Sequence, residues 1–126
     1  MKKGFTLLEL IVVIIILGIL ATLGFSQYMK MVEKGRSAEA RMVLGQIRTA
    51  QETYKLEQGS YASSIGDLPV EAPSACTTTH YFSYTAGAVT GTAARCTTGG
   101  KTPQGSAYSI TLNYSSGVWG GTAGYY

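Results

Sequence analysis

Acidic residues run out early in this chain of 126 residues: none lies beyond Glu71, and after it only Arg95 and Lys101 are charged. There is one Asp (Asp67), one His (His80), two Cys and three Pro. These scarcities exclude much chemistry. His80 has no neighbouring acid to orient it, and no nucleophile–base pair, phosphate loop or metal-ligand cluster stands in the sequence. We therefore expect no enzyme and no cofactor. A C-terminal third without carboxylates offers no hard-cation site built on Asp. The net charge of +3, with no Lys/Arg run in the C-terminal hundred residues, gives no electrostatic track for nucleic acid.

The two cysteines, Cys76 and Cys96, read as a disulfide if this region lies outside the membrane. The bridge would enclose 19 residues and contribute about 3 kcal/mol in the chain-entropy model. Two other readings compete. A metal site on Cys76, His80 and Cys96 lacks a fourth ligand, and a Cys–His nucleophile lacks a group to orient His80.

What the chain does have is an apolar N-terminus. From Leu10 to Phe25 it is almost wholly apolar, and with Phe5 to Leu8 it reaches the roughly 20 residues that cross a bilayer as a helix. A cleaved secretory signal fits poorly, because no small-x-small site follows and a helical pattern runs straight on. A signal anchor held by Lys2 and Lys3 fits better, although Lys30, Lys34 and Arg36 beyond the span oppose that orientation. Neither explains Glu9. A carboxylate in such a span costs about 2.5–3.5 kcal/mol and normally marks a function or a partner. The span holds no Lys or Arg. A new N-terminal amine, made by a cut before Phe5, would lie one helical turn away, or would meet Glu9 of a neighbouring chain and set its register.

The run Lys2-Lys3-Gly4-Phe5-Thr6-Leu7-Leu8-Glu9 resembles the prepilin signature of the type IV pilin family, which includes the closely related pseudopilins. The resemblance implies that prepilin peptidase cuts after Gly4, that Phe5 is N-methylated, and that Glu9 recruits subunits. It implies a leader over residues 1–4, a transmembrane and polymerisation helix over 5–28, and a head over 29–126. The implied function is a structural subunit of a type IV pilus. Its precursor would sit in the bacterial inner membrane and then polymerise, through the assembly machinery, into an extracellular filament of identical subunits for adhesion, motility or DNA uptake. The alternative is a major pseudopilin of a type II secretion system, whose subunits carry a partly Asp-built calcium site that this chain lacks the residues for. The family has a helix-weakening Gly at the place of Gly18 and often a Pro eight residues on, where this chain has Ser26. Gly24 adds a second weak point, each costing about 1 kcal/mol relative to Ala.

Helical periodicity continues to about residue 57. Phe25, Met29, Val32, Ala40, Val43, Ile47, Ala50 and Tyr54 share one stripe, broken by Arg36, that should carry a sheet. Met31, Ala38, Met42, Gly45, Thr49 and Leu56 form a second stripe. It either meets other helices or widens the core face. Glu33, Lys34, Arg41, Arg48, Gln51 and Lys55 gather on a third, solvated or salt-bridging side. The helix from Phe5 would measure roughly 80 Å at 1.5 Å per residue, far more than a small head needs.

Gly59 is the expected helix stop, followed by a loop over residues 61–75 broken by Pro69 and Pro73. Alternation then predicts strands over 80–85, 88–95 and 107–114, with a fourth starting at Val118-Trp119. Tyr108, Ile110, Leu112 and Tyr114 share a face. The expected fold is α+β: a long N-terminal helix packed on a small antiparallel β-sheet, pilin-like. Nine tyrosines could stack on nucleic acid, but half-buried sheets use Tyr for packing and we expect that role.

Overall fold

A computed structural model describes residues 2–103 and 105–126. Helix α1 spans Leu7–Gln58. The chain divides into two units, Met1–Val32 and Glu33–Tyr126, and each is treated by itself below.

In the first unit Thr6 caps the start of α1. Its hydroxyl accepts from the Glu9 N–H at 3.2 Å, while the Glu9 carboxylate accepts from the Thr6 N–H at 2.9 Å and is 3.0 Å from the Thr6 hydroxyl. This reciprocal capping box satisfies donors that a helix start otherwise leaves bare. Gly18 and Gly24 lie inside α1, and the Thr22 hydroxyl donates to the Gly18 carbonyl.

In the second unit α1 runs to Gln58, where Gly59 at φ +80° closes it with an N–H bond to the Lys55 carbonyl at 2.8 Å. A left-handed residue here favours glycine because it carries no Cβ. A 3-10 turn follows at Ile65–Asp67, capped by Ser64. The sheet is an antiparallel meander in the order β1-β2-β3-β4: β1 Phe82–Ala86, β2 Thr90–Arg95, β3 Ser109–Asn113 and β4 Trp119–Gly121. Alternation along each strand sends one set of side chains inward, so Phe82, Tyr84, Ala93, Ile110 and Leu112 join Tyr108 and Tyr114 in the core. The predicted strands overlap all four, and the fold is the α+β arrangement expected.

At Gly91 and Ala93 the inward positions of β2 are small, which lets the strand lie close to the helix. A Cβ at Gly91 would stand 3.2 Å from Leu44 and 3.3 Å from Tyr114. Burial on the helix falls on Glu33, Ser37, Ala40, Leu44, Ile47 and Gln51. This corrects the expected phase. Ala40 and Ile47 are in the core, but Phe25 is 64% exposed and Leu44 is the missing centre of the face. Glu33 and Gln51, placed by polarity on the solvated or salt-bridging side, are buried because each finds partners, Glu33 in salt bridges to Arg36 and Arg95. The Gln51 amide forms two bonds of 2.8 Å with the Ala62 backbone, one donated and one accepted, and so fastens the loop to the helix. The second stripe does not widen the core: Met42 is 62% and Leu56 87% exposed.

Candidate functional site

The first unit presents an apolar surface with one acid in it. Leu7–Gln58 contains an 18-residue window long and apolar enough to cross a membrane, none of it buried within the chain. Phe5, Leu8, Leu10, Val12 and Val13 surround Glu9, whose partner in the chain is Thr6. Gly4 precedes this cap in irregular backbone. The pattern Thr6-x-x-Glu9 is a capping-box signal in the sequence itself, and it gives Glu9 a local partner besides any new N-terminal amine.

The second unit holds a buried polar cluster. Arg95, at the end of β2, donates from Nε to Glu33 at 2.5 Å, and both side chains are almost wholly buried. The Tyr108 hydroxyl donates to the same carboxylate at 2.8 Å, and Arg36 reaches it at 3.2 Å. Arg95 also donates to the Cys96 carbonyl at 2.5 Å. Both guanidiniums lie over the Tyr81 ring, Arg36 at 4.2 Å and Arg95 at 5.0 Å, an arrangement that favours a cation on a π face. Burial pushes the Glu33 carboxyl up, but hydrogen bonds from Arg95 and Tyr108 and the charges of Arg95 and Arg36 outweigh it and hold the group below its ordinary value. Burial and the Glu33 carboxylate both push the Tyr108 phenol well up, so at neutral pH the cluster is an ionised acid clasped by neutral Tyr108 and two cations.

Cys76 and Cys96 form a disulfide with Cα atoms 5.7 Å apart. Neither thiol remains to ligate a metal or act as a nucleophile, which removes both competing readings. His80 meets the Thr77 and Thr79 hydroxyls, and Lys101 donates to the carbonyls of Thr77 and His80. Four tyrosines pack in pairs, Tyr125 stacked on Tyr108 at 3.8 Å and Tyr61 tilted against Tyr114 at 5.1 Å, whereas Tyr28 and Tyr126 are exposed.

An apolar, membrane-length helix whose later half packs on a disulfide-tied antiparallel meander defines the pilin class of fold. The chain belongs to the type IV pilin-like G and H family, whose sequence model matches residues 37–123; the prokaryotic N-terminal methylation motif matches residues 1–25. Among curated relatives, the type IV major fimbrial protein FimA of Dichelobacter nodosus is 40% identical over 57 residues, 45% of this chain and 36% of that one. The type IV major pilin protein PilA of Myxococcus xanthus (strain DK1622) is 36% identical over 71 residues, 54% of this chain and 32% of that one. The type II secretion system core protein G of Klebsiella pneumoniae is 40% identical over 76 residues, 59% of this chain and 54% of that one. The matches thus span a third to a half of these relatives' lengths.

Proposed function

We propose that this chain is a structural subunit of a type IV pilus, made as an inner-membrane precursor and polymerised into an extracellular filament. The observation that carries the proposal is Glu9, an acid held by a capping box within an exposed apolar helix. In this reading residues 1–4 are the leader, prepilin peptidase cuts between Gly4 and Phe5, and Phe5 is methylated. Residues 5–28 then span the membrane and later form the filament core, while 29–126 form the displayed head. The new amine at Phe5 pairs with Glu9 of a neighbouring subunit, giving register where apolar contacts are indifferent to it. Gly18 and Gly24 supply the points where the helix yields. The disulfide keeps a small head folded outside the cell, and the inner-membrane machinery and copies of the chain are its partners. Adhesion, motility and DNA uptake are the activities such a filament would serve.

A second reading is a major pseudopilin of a type II secretion system. The longer overlap with the Klebsiella protein favours it, while the absence of Asp and Glu after Glu71 argues against the calcium site such subunits carry. Replacing Glu9 by Ala tests the core of the proposal. The variant should insert in the membrane at the normal level yet give no filaments in material sheared from cells. Normal filament numbers would remove the recruitment role.

A further inference from the structure

Arg36, Arg95 and Lys101 crowd the half-buried ring of Tyr81, at 4.2, 5.0 and 5.7 Å from its centre. One carboxylate, Glu33, answers the two guanidiniums. Lys101 has no such partner among the described residues. It is nearly buried, and its ammonium donates to the carbonyls of Thr77 and His80. Carbonyls accept from an ammonium without cancelling its charge, so the group around Tyr81 keeps a positive excess. The loops that carry it add no acid, because the sequence has none after Glu71. Arg36 opens this excess to solvent, its side chain 27% exposed. Lys34, two residues before it, is exposed and without an ion-pair partner among the described residues.

Distance along the chain sets what these cations can meet. Tyr28, exposed at the end of the span, is a residue type that favours headgroup depth. Lys34 and Arg36 follow it by six and eight residues, about 9 and 12 Å of helix. The polar layer is roughly 5–8 Å deep on each side of a bilayer, and long basic side chains reach back toward it. Both can thus touch lipid phosphates while the span stays in hydrocarbon. Arg41, thirteen residues past Tyr28 or about 20 Å, is out of reach. Lys30 is nearer, but it belongs to the edge of the span and would meet headgroups whether or not the head docks.

We infer that Lys34, Arg36 and the positive group around Tyr81 form a docking surface for anionic phospholipid, which holds the head on the bilayer that carries the chain before assembly. Charge complementarity selects the lipid. A zwitterionic headgroup brings its own ammonium to the cations, whereas an anionic one brings a phosphate alone. The surface rests on the reading of residues 5–28 as a membrane span, and it offsets the disfavoured placement of cations beyond that span. A head held in this way meets neighbouring chains in one orientation.

The test places the full chain in nanodiscs of phosphatidylcholine, alone or with about one third phosphatidylglycerol, and follows amide hydrogen exchange. Residues 77–81 and 97–101 should exchange about tenfold or more slowly on the anionic discs, since each cation near such a surface shifts docking about fivefold. The core segment 40–47 should not change. Lys34→Gln with Arg36→Gln should bring the loops to within about twofold of their rate on phosphatidylcholine. The charge-keeping pair Lys34→Arg with Arg36→Lys, and separately Arg41→Gln, should retain the protection. Lys34→Gln alone, which removes no contact within the chain, should weaken it severalfold even if the double variant proves unstable. Equal exchange on the two lipids, full protection in Lys34→Gln, or an equal loss in Arg41→Gln would overturn the docking surface. Protection on phosphatidylcholine discs by added inorganic phosphate would overturn it too, in favour of a free-phosphate site. A chain that fails to enter the discs would overturn the span reading and the surface with it.

Discussion

Replacing Arg95 by Met probes the interior of the head. Methionine keeps an unbranched chain over Tyr81 and Phe82 but removes the charge facing Glu33, whose side chain is 3% exposed. Deleting one partner of a buried pair leaves the other charge uncompensated, at about 3–5 kcal/mol. Tyr108 and Arg36 still touch the carboxylate, which places the loss toward the lower end. For a domain of this size the corresponding fall in Tm is roughly 12–40 °C, at about 4–8 °C per kcal/mol. Near-UV circular dichroism of the full chain in detergent would follow it, since Trp119 lies in β4. The pH dependence adds a second readout. In the unaltered chain the Glu33 carboxyl is lowered from 4.5 when folded. Its contribution is therefore fully present above the unfolded value and is lost as the pH falls through the lowered folded one. Without Arg95, burial dominates and the folded value rises, so acidification should relieve part of the deficit instead of adding to it. The pair Glu33→Leu with Arg95→Met should recover part of the stability, because the uncompensated charge is gone while the buried Tyr108 hydroxyl still loses its acceptor. A single variant within about 1 kcal/mol of the parent, with an unchanged pH profile, would refute this account of the cluster.

Two further outcomes concern the loop and the disulfide. Gln51→Ala strips the Ala62 N–H and carbonyl of their buried partner and should cost about 1–3 kcal/mol in thermal melts. A loss under about 0.5 kcal/mol would mean that water replaces the amide. Changing Cys76 and Cys96 together to Ser should cost about 3 kcal/mol, with wild-type stability under reducing conditions as the contrary result.

Much of this fold was legible because its signals are local. The apolar run gave the first half of the helix, Gly59 its end, and alternation at Tyr108, Ile110, Leu112 and Tyr114 the inward face of β3. The head's helical face was harder. Polarity left Glu33 and Gln51 on a solvated or salt-bridging side and could not show their burial, since the residue that neutralises Glu33, Arg95, lies 62 residues away. A buried acid can be recognised only when the residue that neutralises it is known to face it. One hint was available, since Arg95 is an isolated cation in a strand otherwise made of Thr, Gly and Ala. For the candidate site, the run from Lys2 to Glu9 carries its chemistry in the residues themselves, the role of Thr6 as helix cap included.

The most direct test of the central claim is the mass of the N-terminal peptide from this chain in filaments sheared from the cell surface. The account predicts a peptide that begins at Phe5 and carries one added methyl. A peptide that still contains residues 1–4, or a processed chain confined to the membrane and periplasm with none at the surface, would contradict it.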